Sequence, residues 1–394
     1  MKLTCQQADL SRGLAIVGRA VPTRTTLPIT NNVLLSTDQH RLKLVATNLE
    51  MAISYWITAN KVEEEGAITV PARLLTEFVN SLPSQEKDTH GELQTATIRL
   101  DLPSKGKVLS AKCARFEAKI SGIDAKDFPP VPVVGEGITT RVEVDALRLG
   151  IGQVVFAAAT EESRPVLTGV DARFEDGLVT LAAADGFRLA VHKLPLQGTI
   201  KDKTEVIIPA RTMAELNRLM SDGEELVDIT VNPNKSQILF HLKDLQLVSQ
   251  LVQGTFPQHS QLIPQSYKTR AVVSKEEFLR ATKTASIFAR DGSGIVKVII
   301  SGAGNPGQGI MTISARSEEL GENEGTIDAK VDGPEAKIAF NGKYLTDVLG
   351  VIPEDEVALE TTGPSSPGVI RPVDKDSNTV DKYVHVVMPM FVQW

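Results

Sequence analysis

The side chains that could carry chemistry in this sequence do not converge. Six histidines are scattered over 394 residues, and the only cysteines, Cys5 and Cys113, stand far apart, so no spacing suits a metal cluster. The chain has no Gly-x-x-x-x-Gly-Lys-Ser/Thr, no His-Glu-x-x-His and no Gly-x-Ser-x-Gly. Gly302-Ala-Gly-Asn-Pro-Gly-Gln-Gly309 has the glycines of a phosphate cradle, but it contains a proline, precedes no helical pattern and lies between strand-like runs. It reads as a hairpin loop. The acidic runs Glu63–Glu65 and Glu318-Glu319 read as solvated turns. These residues imply no metal, no cofactor and no enzyme.

What remains is basic charge with a particular placement. The whole chain carries 42 Lys and Arg against 49 Asp and Glu, a net charge of −7, which by itself argues against simple nucleic-acid binding. Over the six segments with helical character, 6–20, 72–82, 145–158, 210–221, 274–290 and 341–352, there are 11 basic residues and 7 acidic ones, a balance of +4 that leaves −11 for everything else. One reading is a basic face on an acidic body, if the helices that carry Arg12, Arg73, Arg148, Arg211, Arg280 and Lys283 share one side. The other is an ordinary set of charged helix surfaces.

The elements that would position these residues repeat. Ala67-Ile-Thr-Val-Pro-Ala-Arg-Leu-Leu-Thr-Glu77 and Val206-Ile-Ile-Pro-Ala-Arg-Thr-Met-Ala-Glu-Leu216 each run an apolar strand into a helix through Pro-Ala-Arg, 138 residues apart. Phe340-Asn-Gly-Lys-Tyr-Leu-Thr-Asp347 stands at the corresponding place near the C-terminus. Three closures follow suit: Phe128-Pro129, Phe256-Pro257 and Met388-Pro-Met390. In each third of the chain a helix, hairpin-like strands, a second helix and further strands succeed one another, as in α+β domains with antiparallel sheets. Ser274 with Glu277 three residues on predicts a capping box. Hydrophobic residues at 42% and charged residues at 23% are ordinary for a globular protein. No apolar run reaches the roughly 20 residues of a membrane span, and no secretory leader is visible. Free thiols in the cytoplasm are therefore expected.

Together, the two Pro-Ala-Arg joints, Ala183-Ala-Asp-Gly-Phe-Arg-Leu-Ala-Val191, Gly254-Thr-Phe-Pro257 and Val386-Val-Met-Pro-Met390 resemble the bacterial DNA polymerase III beta subunit family, the sliding clamps. The resemblance runs the full length, with Thr26-Leu-Pro28 and Asn48-Leu-Glu-Met51 also in register. It implies three clamp domains, residues 1–130, 131–264 and 265–394, that form half of a closed ring, two chains joining head to tail around duplex DNA without sequence preference. It places Arg24, Arg73, Arg164, Arg211, Arg12, Arg148, Arg280 and Lys283 at DNA, although Pro165-Val166 stands where relatives can carry aromatic DNA contacts. It places a partner-peptide cleft at Leu167, Gly186, Arg188, Leu189, Pro257, Leu262, Asn341, Tyr344, Val386, Met388, Pro389 and Met390, with core packing the alternative for Leu189. The cleft would take Gln, Leu and Phe anchors of the replicative polymerase, the clamp loader, repair polymerases and other clamp-motif proteins. The tail Phe391-Val-Gln-Trp394 would line the cleft or partly occupy it. A dimer interface is expected between Arg99, Lys112, Arg115 and Phe116 on one edge and Phe278, Glu318, Glu319, Glu322 and Glu324 on the other. Two competing readings are an enzyme of repeated α+β domains, which would need a titratable cluster, and a scaffold that never meets DNA.

Overall fold

The structure is a computed structural model that describes residues 1–87, 92–104, 106–135, 137–161, 163–198, 200, 203–220, 225–289, 294–302, 308–319 and 321–394. The chain divides into two compact units. One holds Met1–Val144 with Arg218–Leu251, the other Asp145–Asn217 with Val252–Trp394. No helix among the described residues is long and apolar enough to cross a membrane.

One order of elements occurs three times. The first copy runs strand Lys2–Gln6, helix α1 Gln7–Val17, strands Asn32–Asp38, Arg41–Thr47, Met51–Thr58 and Ala67–Pro71, helix α2 Ala72–Ser81, then strands Thr97–Asp101, Val108–Cys113 and Phe116–Ser121. The second runs Ile138–Glu143, α3 Val144–Val154, Gly169–Glu175, Leu178–Ala184, Arg188–Pro195, Thr204–Pro209, α4 Ala210–Leu219, Leu226–Val231, Gln237–Leu242 and Leu245–Gln250. The third runs Thr269–Ser274, α5 Lys275–Phe288, Ile295–Gly302, Gly309–Ser317, Gly321–Asp332, Ala336–Asn341, α6 Gly342–Leu349, Glu356–Thr361, Gly368–Val373 and Tyr383–Val387.

All pairing between these strands is antiparallel, and neighbouring copies share sheets. In the first unit the fourth strand of copy one pairs with the last strand of copy two, Tyr55 opposite Leu245 and Met51 opposite Ser249. In the second unit the fourth strand of copy two pairs with the last strand of copy three, Arg188 opposite Val387 and His192 opposite Tyr383. The sheets that result have nine and twelve strands. Two strands of the same kind are left over. Phe116–Ser121 ends a five-stranded sheet. In Gly321–Asp332, residues 321–327 pair, among the described residues, only with Gly309–Ser317, because the other neighbour, Thr269–Ser274, begins its pairing at Ala329.

The strand-to-helix joints have a local cause. Pro71 sits at the N-cap with φ −54° and ψ 114°, the last residue of its strand and not the first of its helix, and α2 starts at Ala72. The fixed ring and missing N–H of proline fit a place where the chain leaves one ladder before entering another. In the third copy Asn341 replaces proline and caps α6 with its side chain, accepting from the Lys343 N–H at 2.9 Å. Ser274 caps α5 as its spacing predicts, accepting from Glu277 N–H at 3.4 Å.

Several expectations change. Each copy begins with a strand that the helix-first reading missed, although Leu3 and Cys5 alternate with polar neighbours. Lys61–Glu64 is a strand, not part of a turn. Gly368–Val373, in a Gly- and Pro-rich stretch with no strand signal of its own, pairs on both sides, with Glu356–Thr361 and with Tyr383–Val387. Gly302 pairs with Gly309, as a hairpin demands, while 303–307 lie outside the described residues. Arg290, counted above among the helix charges, also lies outside them. Over the helices as observed the balance falls to nine basic against seven acidic residues.

The shared sheet of the second unit buries an aromatic cluster. His192 Nδ1 meets Gln153 Oε1 at 2.6 Å, Gln153 Nε2 donates to the Val351 carbonyl at 3.2 Å, and Tyr383 Oη lies 3.3 Å from His385 Nδ1. Burial lowers His192 to about 4 and His385 to about 3. Both are therefore neutral when folded, whereas free histidine titrates near 6.5. A depressed folded pKa means stability that is present above about pH 6.5 and is lost as pH falls toward 4. His259, lowered by burial to about 4, acts the same way; Asp171, raised by burial to about 6, opposes it below that pH. Urea unfolding at pH 7.0, 5.5 and 4.5 should show falling stability, with a shallower fall in His385→Phe than in the wild type.

Candidate functional site

Most cleft residues foreseen from the sequence meet in the second unit. Leu167, Leu189 and Val386 are buried in one apolar cluster with Ala182, Val191, Phe256 and Val384. They form a floor, and Leu189 is core as much as lining. Pro257, Leu262 and Met388 are exposed, while Pro389 and Met390 are half-buried. The strand pair that ends at Arg188 and Val387 sets Leu189 beside Val386. One residue further on, the Met388 N–H donates to the Phe187 carbonyl at 2.8 Å, and then Met390 N–H donates to the Ala339 carbonyl at 2.8 Å. The Met-Pro-Met segment is thus a rim, tied to one copy at one end and to another at its far end. Flexible thioethers beside proline suit a groove that must accept different apolar side chains.

Arg188, expected at the cleft, is tied into the chain by several contacts. Its side chain is only 8% exposed. Nε donates to Asp185 Oδ2 at 3.0 Å, Nη1 to Asp347 Oδ2 at 2.7 Å and Nη2 to the Phe156 carbonyl at 2.7 Å. The guanidinium also lies 4.4 Å from the Tyr344 ring centroid and 5.3 Å from that of Phe156. Paired with two carboxylates and stacked on two rings, it is a strut between the Asp185 turn and α6. Burial pushes the Tyr344 hydroxyl above its usual range, so it stays protonated. Asn341 is spent on capping α6. Asp185, Phe156, Phe187 and Asp347 were not foreseen; the Asp185-Gly186 pair, a turn signal between two strand-like runs, marked the place.

The Asp185 turn also holds Arg164. Arg164 Nη2 donates to the Asp185 carbonyl at 2.9 Å. Gly186 has φ +95°, and a Cβ there would sit 2.8 Å from Arg164 Nη1. Only glycine allows both that backbone and that contact.

The other basic residues expected at DNA are distributed over both units. Arg12, Arg24, Arg211 and Lys283 are exposed, and Arg148 is half-buried near Asp145. Arg73 is 92% exposed while donating to Glu77 at 2.8 Å, and Arg280 pairs with Glu276 one turn away. Such surface pairs are weak and screened, so they yield readily to a phosphate. The seam residues sort more sharply. Phe116 is exposed on the free edge Phe116–Ser121, Arg115 is in the turn that leads to it, and Lys119 on that edge adds a cation not foreseen. Lys112 is one strand in, and Arg99 is two strands in and paired with Glu63 at 3.4 Å. Glu318, Glu319, Glu322 and Glu324 lead into or lie on the other free edge. Phe278 is a correction: it is fully buried inside its own copy and has no surface to give. The exposed apolar side chain of α5 is Ile287.

Family models for the DNA polymerase III beta subunit match throughout: the N-terminal domain at residues 1–132, the central domain at 141–258 and the C-terminal domain at 260–391. The beta sliding clamp of Synechocystis sp. is 32% identical over 410 residues, covering 99% of each chain. That of Staphylococcus aureus is 32% identical over 372 residues, covering 92% of this chain and 93% of the relative. Among solved structures, the DNA polymerase sliding clamp of Bacillus subtilis aligns with a TM-score of 0.90 at 29% identity, and the Pseudomonas aeruginosa clamp bound to griselimycin with 0.89 at 28%, each covering 100% of both chains.

The Arg164 contact yields a test within the site. Gly186→Ala should cost about 1–3 kcal/mol, through backbone strain and the clash with Arg164. The Arg164→Ala background should recover the clash portion. Urea unfolding of the single and double variants measures both.

Proposed function

The chain belongs to the DNA polymerase III beta subunit family, the non-catalytic sliding clamps of DNA replication, and on that premise we propose how its geometry performs the work. Two copies of the chain join head to tail into a ring around duplex DNA, and the groove tethers a polymerase to that ring. The observation that carries this reading is the pairing rule between copies. Twice the fourth strand of one copy takes the last strand of the next, and the pieces left over are the last strand of copy one and the fourth strand of copy three. A second chain supplies the missing partner for each, and two such seams close a cycle. Lys119 and Arg115 on one edge face Glu322 and Glu324 on the other, which favours that pairing over like with like.

DNA inside the ring is held by charge alone. Arg12, Arg24, Arg73, Arg148, Arg211, Arg280 and Lys283 offer exposed or half-exposed cations on helices and a loop, and they need read no base. Each phosphate contact releases counterions, so affinity is salt-dependent while the ring stays free to slide. Arg164, tied to the groove turn, is the weakest candidate in this set. The floor of Leu167, Leu189 and Val386 and the rim of Leu262, Met388 and Met390 take apolar anchors of a short peptide. The partners are the replicative polymerase, the clamp loader and repair polymerases, in the cytoplasm. The domains are residues 1–130, 131–264 and 265–394.

Retention on DNA tests the ring. The protein should sediment as a dimer and, once loaded, stay on circular plasmid but leave the same plasmid after linearisation. Equal loss from both forms would refute encirclement. Replacing Arg73 and Arg211 by Ala should lower the slope of log affinity against log salt by about 1 per contact removed. Met388→Ala with Met390→Ala should abolish stimulation of a polymerase while leaving the dimer intact; unchanged stimulation would rule out the groove.

A further inference from the structure

Each strand-to-helix joint puts a cation at the second position of the helix that follows: Arg73 in α2, Arg211 in α4 and Lys343 in α6. All three are exposed. The helix dipole disfavours a cation at this end, so helix stability does not explain its recurrence. Four residues on stands an acid each time, Glu77, Glu215 and Asp347. In the first copy Arg73 donates to Glu77 Oε1 at 2.8 Å, and the Glu77 side chain is 62% exposed. In the third copy Lys343 Nζ donates to Asp347 Oδ2 at 2.7 Å, and the Asp347 side chain is only 23% exposed. Asp347 has a second cation against it: Arg188 Nη1 donates to the same Oδ2 at 2.7 Å.

Two like charges on one carboxylate oxygen repel each other and compete for it. Lys343, 71% exposed, is free to turn to another anion; Arg188, 8% exposed, is not. Once Lys343 turns away, Arg188 loses both a repelling neighbour and a rival, and its charge-assisted bond to Asp347 strengthens. Arg188 also donates to Asp185 Oδ2, while Asp185 Oδ1 accepts from the N–H groups of Phe187 and Arg188 at 2.8 and 3.0 Å. The next residue, Leu189, belongs to the groove floor. A firmer Arg188 strut therefore stiffens one edge of the groove. We propose that Lys343 is a further phosphate contact, the third-copy counterpart of Arg73 and Arg211, and that through the shared acceptor Asp347 it couples DNA in the ring to peptide in the groove. A phosphate that draws Lys343 away tightens Arg188 on Asp347 and preorganises the groove, so peptide binds more tightly when DNA is present. By reciprocity, peptide strengthens DNA binding by the same factor. This rests on the DNA and groove readings above and adds the link between them.

The test uses the full-length protein, a short linear duplex threaded at low salt, and a fluorescein-labelled peptide with Gln, Leu and Phe anchors and no basic residue. Saturating duplex should tighten peptide binding to the wild type by about fivefold. Lys343→Gln should bind peptide without DNA as tightly as the wild type does with it, and should not respond to duplex. The same variant should lower the slope of log DNA affinity against log salt by about 1 per contact removed. Lys343→Arg should keep both the slope and the response. Arg73→Gln should lower the slope as Lys343→Gln does but keep the peptide response, because Arg73 pairs with Glu77 and not with Asp347. A wild type whose peptide affinity duplex leaves unchanged or weakens would overturn the proposal, as would a Lys343→Gln protein that keeps either the response or the full salt slope. Duplex that does not bind the wild type at all would instead sink the DNA reading, and peptide binding that survives Met388→Ala with Met390→Ala would sink the groove reading, so the failures are distinguishable.

Discussion

An antiparallel sheet with an open edge exposes a row of unpaired N–H and C=O groups, and that constraint organises this molecule. Each copy of the repeated unit has one strand to give and one to receive. Met51–Thr58 receives Leu245–Gln250, and Arg188–Pro195 receives Tyr383–Val387. Among the described residues, Phe116–Ser121 and the first half of Gly321–Asp332 have no strand on their outer sides. A chain with one free donor and one free acceptor edge of the same kind is built to join its own copies in series. The groove follows from the same rule. Because Arg188–Pro195 pairs with Tyr383–Val387, the turn that precedes one strand and the rim that follows the other must lie side by side, with Leu189 and Val386 beneath them.

The polar side chains around the groove serve that geometry more than they serve a ligand. Arg188 locks the Asp185 turn to α6, Asn341 starts α6, and Arg164 lies across Gly186. What is left facing outward is mainly apolar and flexible. That division suits a surface used by several partners: rigid underneath, adaptable on top. The exposed basic residues proposed for DNA follow the opposite design. Exposed, weakly paired arginines hold no fixed geometry, which is what sliding without base readout requires.

Much of the fold could be read from the chain, for physical reasons. Pro-Ala-Arg at two joints marks a fixed change of direction, and its recurrence at 138 residues exposes the repeat. Local rules could not reach what depends on distant pairing. Gly368–Val373 reads as a Pro- and Gly-flanked insertion until both its neighbours are known. Phe278 looks available because helix periodicity does not say which face a sheet will cover, and the structure buries it completely. The contact of Arg188 with Asp347 joins residues 159 positions apart, which no local pattern could show. The tail was ambiguous in sequence since Lys297, which holds it, lies 96 residues before Gln393.

Cross-linking of the free edges tests head-to-tail closure most directly. Ala118→Cys and Asn323→Cys would place one thiol on each edge in the same chain; the native Cys5 and Cys113 are buried, and burial raises both thiols above their usual pKa, so they will not compete. After treatment with a short thiol-reactive cross-linker, ring closure predicts a covalent dimer with both seams joined and no further growth on raising the concentration. Uncross-linked monomer, or a ladder of ever longer open polymers, would contradict it.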